Sequence, residues 1–377
     1  MEPVGVYIHI PFCVKKCNYC DFPSFPGLED AFHEYAGAVC KEMERFSAEY
    51  GNPAVDSVFI GGGTPSLLSA DDIAGIITTL RRVMNTTADA EITLEANPGT
   101  ITREKARACK DTGMTRISLG LQAAQDHLLQ SMGRIHTREM FLKSIEFITA
   151  VGIGNINADI MFGLPGQSMD DWLETMELVI GNDMNHISAY SLQIEKDTPW
   201  FELQKKGELP NVDEDLEREM YHRAVQRLGD IGYCHYEISN FAKPGFESRH
   251  NLKYWTGKPY LGFGASAHSF FHDERVANVA EPLEYIGKIR ENQSPRFFRE
   301  AIGQSEKLSE RFFLGLRLIK GISLKSMENE FGREAINNYS DTIKQLENRK
   351  LLIKEGDLLR LTKNGLDFAN QVWMEFL

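Results

Sequence analysis

The sequence has no long hydrophobic run, no long run of like charge and few cysteine residues. No stretch approaches the ~20 apolar residues of a membrane span, and no basic segment precedes an apolar one near the amino terminus, as it would in a secretory signal. Lys and Arg total 41 against 54 Asp and Glu, a net charge of −13, which disfavours binding to nucleic acid or to anionic membrane surfaces. We therefore expect a soluble, cytosolic protein that does not bind nucleic acid.

Half of the six cysteines lie in one short segment. Cys13, Cys17 and Cys20 fall within eight residues, whereas the cysteines of a secreted disulfide scaffold are spread along the chain. The isolated Cys40 and Cys109 lie in helical patterns, and we interpret them as small buried hydrophobic residues. Clustered thiols in a reducing compartment indicate a metal site.

Short apolar runs alternate with helical patterns over the first half of the chain. The runs predict six β-strands, at Gly5–Ile10, Val55–Ile60, Glu91–Glu95, Arg116–Leu119, Asn155–Met161 and His186–Gln193. Between them, apolar residues recur at helical spacing, and Ser69 and Ser168 each begin a capping pattern. This alternation predicts a parallel α/β sheet, which is either a partial (β/α)6 barrel or an open doubly wound sheet.

Polar and glycine-rich motifs come directly after the predicted strands, and they favour the barrel. They are the cysteine segment, the GGGTPS motif at 61–66, Glu95–Asn97, Gly120–Gln122 and the FGLPGQ motif at 162–167. In (β/α) barrels the chemistry is carried at the carboxyl ends of the strands. We therefore expect these motifs to meet at one rim.

The pattern changes twice after residue 195, which predicts three domains. Residues 1–195 form the partial barrel, residues 196–300 an appended α/β lobe with a strand at Tyr233–Ile238, and residues 301–377 a winged-helix-like domain. The last domain is expected to contain helices at Glu310–Leu318, Leu324–Phe331 and Ala335–Leu346, a hairpin around Gly356 and a closing helix at Asn364–Phe376. The segment 334–350 carries three acidic and three basic residues, so it favours a structural or docking role over DNA recognition.

The cysteine segment fits an iron-sulfur cluster better than a zinc ion. A closed structural zinc site needs a fourth ligand, and no His lies within twelve residues after Cys20. Three thiolates can hold a cubane and leave one iron open to an outside ligand. Zinc with a distant fourth ligand is the alternative, but it leaves the strand-end motifs unexplained.

The CxxxCxxC spacing after the first strand, with GGGTPS after the second, resembles the radical S-adenosylmethionine (SAM) superfamily. The resemblance implies that Cys13, Cys17 and Cys20 hold a [4Fe-4S] cluster. It also implies that the open iron binds the methionine end of SAM, and that one electron from the cluster cleaves SAM to a 5′-deoxyadenosyl radical. On the residues alone, the glycines of GGGTPS allow close backbone approach to a ligand.

Over essentially its whole length the chain resembles the oxygen-independent coproporphyrinogen III oxidase family and its heme chaperone branch, HemW. The resemblance implies a SAM site formed by Tyr7, Tyr19, Gly62, Gly63, Thr64, Glu95, Gln122, Arg134 and Asp159. Carboxylates suit the cationic groups of SAM, and Arg134 suits its carboxylate. Taken alone, Glu95, Gln122 and Asp159 could equally be capping groups at strand ends.

Two features separate the branches of this family. The oxidases carry a further Cys two residues after the third, where this chain has Phe22, and a phenyl ring cannot replace a thiol in redox work. The segment from His250 to Trp255 matches the HNxxYW motif of the HemW branch. The resemblance therefore implies a heme carrier, with His250 as the candidate iron ligand ahead of His268.

The implied partners are heme, acceptor hemoproteins that include membrane-bound respiratory enzymes, and an electron donor. Two alternatives stay open. One is an oxygen-independent coproporphyrinogen III dehydrogenase, a radical SAM oxidoreductase of porphyrin biosynthesis. The other is a structural or zinc-bound interaction module, in which His250 and the neighbouring aromatic residues only pack a lobe.

Overall fold

The computed structural model describes residues 2–211 and 213–377, most of which surround one twelve-stranded sheet. Its first six strands pair in parallel in chain order. Their bounds are β1 Val4–Ile10, β2 Ala54–Gly62, β3 Asn85–Ala96, β4 Arg116–Gln122, β5 Asn155–Phe162 and β6 His186–Ser191. All six predicted strands are confirmed.

Helices connect these strands, and the strand order fixes the face on which they lie. The helices are α1 Phe32–Tyr50, α2 Ala70–Val83, α3 Arg103–Asp111, α4 Asp126–Ser131, α5 Arg138–Ala150 and α6 Met169–Gly181. Right-handed crossovers between strands in consecutive order place every helix on the same face. The sheet is therefore singly wound, as in a partial (β/α)6 barrel, and the doubly wound alternative is wrong.

Side chains alternate between the two faces of each parallel strand. In β1, Val4, Val6 and Ile8 are buried in the core shared with the helices. The intervening Tyr7 and His9 point to the other face, which is the interior of the barrel. The predicted caps also form, since the Ser69 hydroxyl accepts a hydrogen bond from the Asp72 amide, and Ser168 forms a capping box.

Residues 196–300 extend both edges of the same sheet. The strands are β7 Cys234–Glu237, β8 Asn240–Ala242, β9 Tyr260–Phe263, β10 His268–Phe271, β11 Glu274–Asn278 and β12 Arg296–Ala301. Strands β8 and β7 continue antiparallel from β6, while β9 pairs in parallel with β1 and leads to β10–β12. The helices are α7 Pro199–Lys205, α8 Glu214–Asp230, α9 Arg249–Trp255 and α10 Pro282–Arg290.

The carboxyl-terminal residues form a winged-helix-like domain with its own core. Its elements are α11 Gln304–Gly315, β13 Ile322–Ser323, α12 Leu324–Phe331, α13 Arg333–Asn337, α14 Ser340–Asn348, β14 Leu352–Glu355, β15 Leu358–Leu361, α15 Lys363–Asp367 and α16 Ala369–Met374. The hairpin around Gly356 is confirmed. Two predicted single helices are wrong: the segment 335–346 breaks at Asn338 and Tyr339, and the segment 364–376 breaks at Phe368, whose φ of −120° leaves the helical region.

No helix in the described parts of the chain combines the length and apolarity that a membrane crossing requires.

Candidate functional site

The carboxyl ends of the parallel strands surround a cavity of about 360 Å³, which we call the cysteine cavity. It lies where the predicted motifs meet, as expected for a (β/α) barrel. The sequence-predicted residues that line it are Cys13, Cys17, Tyr19, Cys20, Gly62, Gly63, Thr64, Glu95, Gln122, Arg134 and Asp159. Two predicted residues, Tyr7 and His250, are absent from its lining.

The three cysteines lie in the loop after β1, which is tied to the carboxyl end of α4. The Asn18 amide donates to the Met132 carbonyl at 2.9 Å, and the Asn18 side chain donates to the Ser131 carbonyl at 2.8 Å. Cys13 is buried, while Cys17 and Cys20 are partly exposed. These contacts hold all three thiols toward one space.

The thiols suit a cluster better than a single ion. Within the described residues, no three His, Cys, Asp or Glu side chains converge closely enough to hold one metal ion. A cubane is larger, and its cysteine ligands attach to different iron atoms, so they need not converge on one point. Burial raises the pKa of Cys13 and Cys20, so the thiolates need a positively charged centre beside them.

The GGGTPS motif packs against the strand that precedes the cysteines. The Gly63 amide donates to the Ile10 carbonyl at 2.9 Å, and the Thr64 amide donates to the Phe12 carbonyl at 2.6 Å. A Cβ atom on Gly63 would lie 2.4 Å from the Phe12 carbonyl oxygen. This glycine is therefore required for close packing of the two strand ends, an interaction that the sequence pattern did not predict.

One wall of the cysteine cavity is acidic. Glu95 accepts a hydrogen bond from the Gly62 amide at 3.0 Å. Asp159 accepts from the Ser118 hydroxyl at 2.9 Å and from the side-chain amide of Asn157 at 2.8 Å. Burial and then the nearby charge of Asp159 raise the pKa of Glu95 to about 8. The pKa of Asp159 is also raised by burial, against the lowering effect of its hydrogen bonds.

The wall nearest the thiols is cationic. Arg134 is half-buried, and its guanidinium lies 3.7 Å from the Cys17 sulfur and 3.0 Å from the Gly120 carbonyl. Its Nε has no hydrogen-bond partner among the described residues. An acidic wall facing a guanidinium that retains donor capacity fits a zwitterionic ligand such as SAM.

Among the residues that line the cysteine cavity without having been predicted are Ser118 and Tyr190, while Asn97 belongs to the predicted motif Glu95–Asn97. Ser118 supports Asp159, and the side-chain amide of Asn97 donates to the Thr64 hydroxyl at 2.9 Å. Ser118 and Tyr190 lie within predicted strands, and that position was the only indication of their role in the sequence. Motifs at the strand ends do not include them.

Tyr7 lies in the barrel interior. Its hydroxyl is 2.9 Å from His9 Nδ1, and its ring stacks on Phe59 with centroids 6.3 Å apart. Burial raises its pKa well above the ordinary value, followed by the effect of Glu95. Tyr7 therefore contacts the cavity wall through its neighbours, and its predicted contact with SAM stays a prediction.

His250 lies near the amino ends of the strands and is only 1% exposed. Its Nδ1 is 3.2 Å from the Ser57 hydroxyl and its Nε2 is 2.9 Å from the Tyr254 hydroxyl. Burial, then the charge of Lys253, lowers its pKa to about 3, so the ring is neutral. Both nitrogens already have partners, so ligation of heme by His250 stays a prediction that requires one of these partners to move.

The last residue of the HNxxYW motif joins the sheet to the carboxyl-terminal domain. The guanidinium of Arg317 lies between the rings of Trp255 and Trp373, 4.2 Å and 4.9 Å from their centroids. It also lies 3.8 Å from the carboxylate of Glu237, which is fully buried. In this structure the motif therefore has a clear packing role.

Comparisons with known proteins agree with this geometry. The "Radical SAM superfamily" model matches residues 7–179, and the "HemN C-terminal domain" model matches residues 303–368. The chain is 36% identical to "Heme chaperone HemW" of Bacillus subtilis (strain 168), with 99% of each chain covered. It is 33% identical to the protein of that name from Lactococcus lactis, with 100% of this chain and 98% of the relative covered.

A mitochondrial relative and a solved structure extend the comparison. "Radical S-adenosyl methionine domain-containing protein 1, mitochondrial" of Bos taurus is 30% identical, with 100% of this chain and 88% of the relative covered. The structure of coproporphyrinogen III oxidase (HemN) from Escherichia coli superimposes with a TM-score of 0.86 at 21% identity, over 99% of this chain and 90% of that one. At that identity the superposition shows the fold alone.

Proposed function

We propose a function from the premise that this chain belongs to the radical SAM superfamily and, within it, to the family of the heme chaperone HemW. The function is to bind heme and transfer it to acceptor hemoproteins, with a [4Fe-4S] cluster and SAM held in the cysteine cavity. The observation that carries the proposal is end-to-end similarity to relatives named heme chaperones.

The cluster ligands in this proposal are Cys13, Cys17 and Cys20. A cluster held by three cysteines supplies an open iron for the methionine end of SAM and a single electron. The chain's own contribution is to hold the three thiols in one loop, fixed to the carboxyl end of α4. The half-buried Arg134 beside Cys17 would offset the negative charge of the thiolates.

The proposed SAM site uses the two walls of the cysteine cavity. In the proposal, Glu95 and Asp159 would receive the ammonium, sulfonium or ribose groups, and Arg134 would receive the carboxylate. This is supported by their shared position on the cavity lining, which also includes Tyr19, Gln122, Thr64, Gly62 and Gly63. A cation beside Glu95 would lower its pKa, so ligand binding should release a proton near neutral pH.

The coproporphyrinogen dehydrogenase alternative gains no support from residue 22. Phe22 lies on the lining of the cysteine cavity, and it is 62% exposed. It therefore occupies the position at which the oxidases have a thiol, and it offers no redox group there. Acceptor hemoproteins, an electron donor and a cytoplasmic location stay predictions from the sequence.

Anaerobically reconstituted protein tests the proposed function. It should contain iron and sulfide, bind hemin with a Soret shift, and transfer heme to an added apo-hemoprotein. Decarboxylation of coproporphyrinogen III without a stable heme complex would establish the dehydrogenase instead. Bound zinc without sulfide would support the interaction module.

A further inference from the structure

A second cavity, of about 790 Å³, lies at the amino ends of β1 and β2, against the carboxyl-terminal domain. It is more than twice as large as the cysteine cavity, at about 360 Å³. Six aromatic side chains line it: Tyr254, Tyr260, Phe270, Phe271, Phe313 and Phe331. We call it the aromatic cavity, and its volume suits a ligand larger than a nucleoside.

Four cations also line the aromatic cavity, each paired with a carboxylate. The pairs are Lys258–Glu2 at 2.9 Å, Arg275–Glu310 at 2.8 Å, Lys307–Asp273 at 2.6 Å and Arg311–Glu330 at 3.5 Å. The side chains of Glu2 and Asp273 are 51% and 68% exposed. Because these two carboxylates are exposed, each gains little from its ion pair, and a ligand carboxylate can replace either one at small cost.

The turn between β10 and β11 places an imidazole at the edge of this cavity. His272 and Asp273 form the two-residue turn, with φ values of 52° and 61°. Such turns normally use Asn or Gly at these positions, because positive φ is costly for other residues. The His272 ring is exposed, stacks on Phe271 with centroids 3.9 Å apart, and has no hydrogen-bond partner within the described part of the chain.

We propose that the aromatic cavity binds heme, with His272 as a ligand to the iron and Lys258 and Lys307 paired with the propionates. The inference rests on the proposed function and adds a location to it. Three features of the cavity match three parts of heme. The aromatic side chains match the flat porphyrin ring, and the imidazole of His272 matches the iron. Lys258 and Lys307, whose carboxylate partners can be replaced, match the two propionates. The site lies at the strand ends opposite the cysteine loop, so heme and the cluster need not compete for space.

Hemin titration of the full-length, cluster-loaded protein tests this site. The variant His272→Asn removes the iron ligand and keeps a residue that tolerates positive φ. It should lose the visible and EPR features of histidine-ligated heme and bind hemin about tenfold or more weakly. His127→Asn is the matched control, since His127 is an exposed histidine that does not line the aromatic cavity.

A charge variant provides a second measurement. Lys307→Glu should weaken hemin binding about tenfold while the iron-ligand spectrum stays that of the wild type, because the imidazole is unchanged. Wild-type spectrum and affinity in both His272→Asn and Lys307→Glu would overturn the site and leave heme carriage intact. Loss of the spectrum in His250→Ala alone would assign the ligand to His250. A wild-type protein that binds no hemin would refute the proposed function itself.

Discussion

Replacing Glu95 with Gln should stabilise the metal-free chain at neutral pH while weakening its affinity for SAM. Glu95 is half-buried, and desolvation raises its pKa from the ordinary 4.5 to about 8. The folded chain therefore keeps a proton that the unfolded chain releases above pH 4.5. Gln resembles the neutral acid and can still accept the hydrogen bond from the Gly62 amide.

The size of the effect follows from the two pKa values. Below pH 4.5 the wild type has the full free energy of unfolding, because Glu95 is protonated in both the folded and the unfolded chain. Between pH 4.5 and about pH 8 this free energy falls by about 1.4 kcal/mol per pH unit, and above that it is constant. The Gln variant has no such loss. The free energy of unfolding of the Gln variant should therefore exceed that of the wild type by about 1 kcal/mol at pH 5 and by about 3 kcal/mol at pH 7.

Urea denaturation of both proteins at pH 5, 6, 7 and 8 measures this difference. Glu104→Gln is the control, because Glu104 is an exposed carboxylate. Its replacement should not give a gain in the free energy of unfolding that increases with pH. If the free energies of unfolding of Glu95→Gln and the wild type differed by the same amount at every pH from 5 to 8, the reasoning would be refuted. Weaker SAM binding by the more stable variant would show that the carboxylate is retained for the ligand at a cost in stability.

Three further substitutions test other parts of the structure. Cys17→Ala should lose the iron-sulfur absorbance while Cys234→Ala keeps it, and retained iron and sulfide in the first variant would contradict the ligand assignment. Gly63→Ala should lower the free energy of unfolding by roughly 2 kcal/mol or more, because its Cβ meets backbone 2.4 Å away, whereas Gly154→Ala, with open space around it, should be near neutral in urea denaturation. Arg317→Met should cost roughly 3 kcal/mol, because it leaves a buried carboxylate without its cation; an unchanged urea midpoint would mean that the carboxyl is already protonated.

The sequence was sufficient for the parallel sheet and for most of the cysteine cavity. Each strand from β1 to β6 is a local apolar run, and the residues that form the cavity follow those runs directly. Because parallel strands end at the same rim, local patterns were enough to bring Cys13, Glu95 and Asp159 together.

The features that the sequence did not reveal depend on contacts between distant segments. The pairing of β9 with β1 joins residues about 250 positions apart, and no local pattern encodes it. The burial of His250 depends on Ser57 and Tyr254 closing around its ring. The two breaks in the carboxyl-terminal helices are changes of backbone angle at Tyr339 and Phe368, in segments whose apolar spacing continues across the break.

The pairing of β1 with β9 also bears on biosynthesis. The first strand leaves the ribosome early, but one of its two hydrogen-bonding partners is made about 250 residues later. At ordinary translation rates that is a delay of roughly 10 to 50 seconds. During this interval the strand that precedes the cysteine loop has one open edge, so the nascent chain is exposed to mispairing at that edge.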